Sequence, residues 1–326
     1  MINLHLVQQI DSPNIEEEPI RTGFGRGLVE AGKINDKVVA LCADLTGSTK
    51  MNMFAEAFAE RFFEVGIAEQ NLATVAAGMA RMGYVPFASS YAAFSPGRNW
   101  EQIKTTAALN DLPVKMIGSH AGISVGPDGA THQMLEDIAI MRVIPNMKVI
   151  APGDSIEAEK ATLAMAEDKT PNYMRLAREA TPIFTTKDTP FQLNRAWVMM
   201  PGKDVTIIGT GTMSYQALLA GKMLRDKGIE AEVIHCPVIK PLDGMTILKS
   251  VEKTGCVVTA EEAQIMGGLG GAVAELLSEH HPVPLRRIGV RDRFGESGDP
   301  HELLEAFGLT AKDIAHKVEE VRKELH

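Results

Sequence analysis

The sequence predicts an α/β protein built from two doubly wound α/β domains, each with a mostly parallel sheet. Three observations predict it. Short apolar runs alternate with stretches of helical spacing in both halves of the chain, the pattern of a parallel sheet with crossover helices. Between the two series lies TPIFTTKDTPFQLNRAWVMMPGKD (181–204), which carries three prolines and no clean period. The length, 326 residues, is long for one domain and comfortable for two. The expected organisation is an N-terminal tail over 1–16, a first domain over 17–185, a linker over 186–203 and a second domain over 204–326.

Composition narrows the class. With 45% hydrophobic and 23% charged residues the chain reads as globular. A net charge of -9, with no Lys/Arg cluster, argues against a nucleic-acid surface. No apolar run approaches a membrane span. Cys42, Cys236 and Cys256 stand far apart in apolar runs, so they read as buried thiols in a reducing compartment. The first residues lack the basic-then-apolar order of a signal peptide, and a cytoplasmic location is expected.

The elements follow in order. A helix is expected from Ile20, because Ile20, Phe24, Leu28 and Ala31 share one face and Gly32 stands near its end. VVALCADL (38–45) is a buried strand ending in Asp44; an acid there lines a site or caps the next element. AEAFAERFFEV (55–65) reads as helix and strand edge. A helix then begins at Glu69, and its small residues Ala73, Ala76, Ala77, Gly78 and Ala80 suggest close packing, with a second subunit as one candidate neighbour. VPFASSYA (85–92) is a strand, GRNWEQIKTTAAL (97–109) a helix and VKMIGSHAG (114–122) a strand. The loop GISVGPDGATHQ (122–133) ends in a helix through Ile140. KVIAP (148–152), a helix over 155–166 and NYMRLAR (172–178) close the half. The second series is DVTIIGTG, a helix over 213–226, EAEVIHCP, CVVTAEE, a helix opening at GGLGG, LRRIGV and two terminal helices. In the last, Ile314, Val318, Val321 and Leu325 recur at helical spacing, the mark of an amphipathic docking helix.

Two stretches carry chemistry. GIAEQN (66–71) sets Glu69 between apolar runs, where a carboxylate needs a partner; the plainer reading is an acid answering a helix dipole. The second is SHAGISVGPDGATHQ (119–133). His120 and His132 bracket Asp128 and the glycines Gly122, Gly126 and Gly129. Glycines let a ligand approach the backbone, and imidazoles suit proton transfer and bonding to hydroxyls. The spacing is not that of a zinc site. Asp44, Ser119, His120 and this loop all fall at the carboxyl ends of strands, where such sheets bind ligands. GTGTMS (209–214) lacks the third glycine of a dinucleotide loop, and GGLGG (267–271) fits either an anion site or close packing at a subunit interface.

GIAEQN, the SH…GPDGATHQ loop and IPNMKVIAPGD together resemble the pyrimidine-binding domain of transketolases. VTIIGTG, EEAQIMGGLGGAVAE and VRDRFGESG are similar to the C-terminal domain of the transketolase and 1-deoxyxylulose-5-phosphate synthase family, so the resemblance spans residues 17–326. It implies thiamine diphosphate as cofactor. A full-length transketolase begins with a further domain that holds the diphosphate and Mg²⁺ through a GDG…N motif. No GDG occurs in this chain; GPDG and PLDG run in the wrong order. The resemblance therefore implies the C-terminal subunit of a split transketolase, sharing thiamine diphosphate with an N-terminal, diphosphate-binding subunit that holds the Mg²⁺. It further implies self-association into an α2β2 assembly and transfer of a two-carbon ketol unit from a ketose phosphate to an aldose.

Residue by residue, the resemblance makes Glu69 the acid that bonds N1′ of the aminopyrimidine, with Tyr91 and Phe94 stacked on that ring and Asp44 on the cofactor side. A carboxyl held in an apolar interface suits the sharing of a proton with a ring nitrogen. His132 is implied to bond the hydroxyl beside the substrate carbonyl, Asp128 a hydroxyl further along, and His120 the phosphate end. Arg178, in LARE, matches the phosphate-binding arginine, since a guanidinium grips phosphate bidentately; an ion pair with Glu179 is its plainer reading and Arg175 its rival. Two departures stand out: SPGRN after Phe94 is one residue short of the family's pattern, and its phosphate-binding serine falls near Phe24. Competing readings are the β subunit of a 2-oxo acid dehydrogenase E1 component, a split 1-deoxyxylulose-5-phosphate synthase, and a non-catalytic interaction protein of the same fold.

Overall fold

The computed structural model describes residues 2–323. The first domain contains β1 (Glu17–Pro19), α1 (Ile20–Ile34), β2 (Val38–Cys42), α2 (Asn52–Ala57), β3 (Phe62–Glu64), α3 (Glu69–Arg81), β4 (Val85–Tyr91), α4 (Trp100–Gln102, continued by a π-helical segment Ile103–Ala108), β5 (Lys115–Ser119), α5 (Asp137–Arg142), β6 (Lys148–Ile150), α6 (Ser155–Glu167), β7 (Asn172–Leu176) and β8 (Ala180–Pro182). The second contains β9 (Trp197–Met200), β10 (Val205–Gly209), α7 (Met213–Asp226), β11 (Ala231–His235), β12 (Val238–Lys240), α8 (Gly244–Thr254), β13 (Val257–Gln264), α9 (Leu269–His280), β14 (Leu285–Val290), α10 (Pro300–Ala306) and α11 (Ala311–Lys323).

The larger sheet has seven strands in the order β12-β6-β7-β5-β4-β2-β3, the smaller five in the order β14-β13-β10-β11-β9. In these two sheets pairing is parallel except at β12 and β9, each antiparallel at a sheet edge, while β1 and β8 form a separate antiparallel pair. This is the two-domain, mostly parallel α/β fold that the sequence predicts. Strands such as β2 are buried at every position, because helices cover both faces of the sheet; their sequences run apolar without alternation. On one face α1 lies directly on α6. A Cβ at Gly23 would overlap the Ser155 carbonyl oxygen, so the two backbones meet where α1 has no side chain.

The domains are not independent. β12 leaves the second domain to pair with β6, closing that edge of the first sheet. One hydrophobic core runs from Leu72 and Ala76 on α3 through Ile208, Ile234 and Val257 of the second sheet. Near the seam His235 bridges two partners, with Nε2 2.6 Å from Glu157 Oε2 and Nδ1 2.6 Å from Ser214 Oγ. All three residues are buried, so this row is a staple between the domains rather than an exposed nucleophile.

Several expectations are corrected. The segment expected as an N-terminal tail is docked: Leu6 and Ile10 are buried in the core of the second domain. Asn3 N donates to Met199 O (2.8 Å), Val7 N to Phe184 O (3.0 Å) and Tyr215 Oη to Ile10 O (2.7 Å). The segment expected as linker includes β9, the edge strand against β11. β12 and α8 had no clear sequence signal, since β12 borrows its register from a strand more than eighty residues away. The small residues Ala73, Ala76, Ala77 and Ala80 of α3 are buried within the chain, while Gly78 faces open space. In α11, Ile314, Val318 and Val321 are buried as expected; Leu325 lies outside the described residues. The three cysteines are free and buried. Among the described residues no helix is long and apolar enough to cross a membrane.

Candidate active site

From β2 the chain first adds β3 on one side and then β4 on the other. That reversal opens a crevice beyond the carboxyl ends of β2 and β4, where doubly wound sheets bind ligands. Asp44 and Tyr91 flank it. Asp44 has a left-handed backbone (φ 57°) and is exposed. Glu64, at the end of β3, holds this turn: it accepts from Asp44 N (2.7 Å), Thr46 Oγ1 (2.7 Å) and Gly66 N (3.0 Å). The same carboxylate thus anchors the start of GIAEQN.

Glu69 is the first residue of α3 and is only 3% exposed. The helix dipole favours an acid there, so that reading and burial in a site coexist. Its Oε2 accepts from Arg98 Nη1 at 3.4 Å, and its backbone oxygen accepts from Asn99 Nδ2 at 2.8 Å. Among the described residues Oε1 has no partner. Arg98 N in turn bonds Phe94 O at 2.9 Å, so Glu69 and Phe94 are tied to one turn of chain.

The rings form one assembly. Tyr91 stacks on His120 with centroids 3.8 Å apart, Phe94 lies near-parallel to Tyr91 at 6.0 Å, and His132 meets Phe94 edge-on at 5.4 Å. His120 Nε2 lies 3.0 Å from Arg21 Nη1 and Nδ1 lies 2.9 Å from Ser119 Oγ. A guanidinium only donates, so Nε2 accepts and the ring proton sits on Nδ1. Burial first, then the charges of Arg21 and Arg178, push the His120 pKa down to about 3. His120 is therefore a neutral ring that orients Arg21. His132 Nδ1 pairs with Thr131 Oγ1 at 2.8 Å, leaving Nε2 without a partner among the described residues.

Arg21, half-buried on α1, donates through Nη1 also to Ser48 O at 3.2 Å, while its Nε is buried with no partner. Burial, and next the charge of Arg178, lower its pKa. Arg178 donates to Val125 O at 2.7 Å and pairs with Glu179 at 3.1 Å. Two guanidiniums that oppose each other's charge, one of them with an N–H left unsatisfied, favour an anion. Asp128 is exposed at the end of the short helical turn Ile123–Asp128, outside the ring cluster.

Other expectations are redirected. Arg175, the rival to Arg178, is buried and bonds Asp137 Oδ2 at 2.8 Å, so it is structural. Phe24 is fully buried against Phe87 and cannot face a substrate; the serine that meets the Arg21 guanidinium is Ser48, through its backbone oxygen. The amides at the start of α9 already serve an internal anion, Glu261, which accepts from Leu269 N (2.7 Å) and Gly270 N (2.8 Å). Burial pushes its carboxyl up to about 7 against those bonds. Sequence reasoning missed Arg21, Ser48 and Glu64; the one local signal was Arg21's place just off the apolar face of α1.

Residues 17–183 match the family described as transketolase, pyrimidine binding domain, and residues 195–314 the one described as transketolase, C-terminal domain. The chain belongs to the transketolase family. It is 46% identical over 309 residues to a putative transketolase C-terminal section of Methanocaldococcus jannaschii, covering 94% of this chain and 97% of that one. It is 43% identical to a 6-deoxy-6-sulfo-D-fructose transketolase subunit of a Clostridium species, over 94% of this chain and 95% of the relative. A solved structure described as "Split gene transketolase, inactive beta4 tetramer" superposes with a TM-score of 0.88 at 45% identity, covering 94% of this chain and 98% of that one.

Transketolases use thiamine diphosphate, and the residues present fit its aminopyrimidine end. A buried carboxylate with one free oxygen stands beside a turn that carries a flat aromatic side chain, as a ring nitrogen in a stacked heterocycle requires. Among the described residues no three His, Cys, Asp or Glu side chains gather as a metal site.

Proposed function

We propose that this chain is the C-terminal subunit of a split transketolase, active with a separate N-terminal subunit that binds the diphosphate and Mg²⁺. The observation that supports it most is the joint placement of Glu69, the Tyr91–Phe94–His120–His132 ring assembly and the Arg21–Arg178 pair around one crevice. Bound thiamine diphosphate supplies the electron sink for cleaving the ketose carbon–carbon bond. Glu69 holds the proton shared with the pyrimidine nitrogen, and Tyr91 and Phe94 support that ring. His132 bonds the hydroxyl beside the carbonyl through Nε2, and Asp128 a hydroxyl nearer the channel mouth. Arg21 and Arg178 grip the anionic end of the sugar, with His120 orienting Arg21. The sulfo-sugar relative and the two guanidiniums together support an acidic tail, phosphate or sulfonate, as the recognised feature. Two copies of each subunit, with sites between domains, complete the reading.

The test is to mix the purified chain with a diphosphate-binding transketolase subunit, thiamine diphosphate and Mg²⁺, and follow two-carbon transfer between sugar phosphates. Transfer by the mixture and none by the chain alone is the expected result. Turnover by the chain alone overturns the split-enzyme reading.

A further inference from the structure

The loop over 122–133 belongs to the first domain, yet the second domain holds its backbone. Ser124 N donates to Glu262 Oε1 at 2.7 Å, from the far end of β13. The other oxygen of Glu262 accepts from Thr212 Oγ1 at 2.7 Å, and its backbone oxygen from Arg175 Nη2 at 3.2 Å. Glu262 is only 3% exposed, its carboxylate held by one bond at each oxygen and its backbone by a third. The loop lies tightly on this support: a Cβ at Gly122 would overlap the Glu262 carboxylate, and one at Gly129 would press on Ser297 Oγ. Both glycines have positive φ, so no other residue fits there easily. Gln133, next to His132, ties the far end, donating from Nε2 to Ile123 O (3.0 Å) and to Glu296 O of the second domain (2.9 Å).

We infer that the second domain is the mould of the substrate loop, and that Glu262 is a positioning residue that sets Asp128 and His132 against the sugar. The inference rests on the substrate roles proposed for those two residues. Glu262 bears on the loop and not on Glu69, Tyr91 or Phe94, so it governs sugar binding separately from cofactor binding. An amide at this position keeps an acceptor oxygen for Ser124 N and offers its NH2 to Thr212 Oγ1, so it removes the charge while retaining both contacts.

The test uses the two-subunit complex. KM and kcat for the ketose and Kd for thiamine diphosphate are measured for the wild type, Glu262→Gln, Glu262→Ala, Asp128→Ala, His132→Ala and the Glu262→Ala/Asp128→Ala pair. Glu262→Ala is expected to raise the ketose KM about tenfold, the loss of one charge-assisted bond, with cofactor Kd unchanged within about twofold. Glu262→Gln falls between. Added to Asp128→Ala, Glu262→Ala costs less than it does alone, the remainder acting through His132. On the chain alone, hydrogen exchange at the Ser124 amide speeds up in Glu262→Ala and less in Glu262→Gln while β4 and β5 stay protected; this readout stands if Glu262→Ala assembles poorly. An unmoved KM despite faster exchange at Ser124, full additivity with Asp128→Ala, or a parallel loss of cofactor affinity overturns the inference. If Asp128→Ala and His132→Ala both leave the ketose KM unmoved, the site reading beneath it fails instead.

Discussion

Replacing Arg21 by Met tests the anion fork most directly. Met keeps the length and apolar stem of the side chain and removes the guanidinium. In the structure Nη1 is already engaged by His120 Nε2 and Ser48 O, while Nε is buried and unpartnered. The guanidinium is therefore held in one orientation, and Arg178 remains in place on Val125 O. A hydrogen bond to a charged group contributes about 1.5–3 kcal/mol. At about 1.4 kcal/mol per tenfold, kcat/KM for a phosphorylated ketose should fall about 10- to 150-fold. For the same ketose without its phosphate the loss should stay within about threefold, since only the packing around His120 changes. The assay is two-carbon transfer by the two-subunit complex with each donor in turn. Equal losses for both donors would mean that Arg21 serves the fold of the site and not the anion, and would refute the reasoning.

Glu69→Gln keeps the shape of the side chain and the Asn99 bond to its backbone oxygen, so circular dichroism of the chain should not change. Transfer by the complex should fall about 100-fold or more, the scale of a lost proton-transfer group; retention of a tenth of the activity would exclude Glu69 from that role. His120, with its folded pKa pushed down to about 3, should show no imidazole protonation by NMR between pH 8 and about 4. The unfolded chain takes up that proton near pH 6.5, so this residue's contribution to stability is fully present above about 6.5 and is lost as pH falls towards the folded value. In Arg21→Met the His120 titration should move upward, because one of the charges that depress it is gone. Gly23→Ala forces a Cβ onto the Ser155 carbonyl and should destabilise the chain by about 1–3 kcal/mol, read as a lower urea midpoint at constant m-value.

Periodicity in the chain was enough to determine the alternation of strands and helices, the two-domain α/β class and the apolar face of α11. Such features depend on residues a few positions apart, and the pattern repeats within each element. The two chemistry-bearing stretches, 66–71 and 119–133, were legible for the same reason: each packs its distinctive residues into one short run. Only the tertiary structure decided what those runs meet. It placed Arg21, from α1, against His120, ninety-nine residues away, and set Ser48 beside it. It made Arg175 a buried structural cation and left Arg178 at the crevice, though both lie in one strand-like run, because alternate side chains leave opposite faces of a strand and the strand ends between them. It folded Leu6 and Ile10 of an apparent tail into the second domain, where a few apolar groups among polar neighbours find a core that local sequence cannot show. And it set Glu262 under the loop that carries Asp128 and His132, a contact across 138 residues. Pairings of this kind arise where the two cores are joined, and no local period records them.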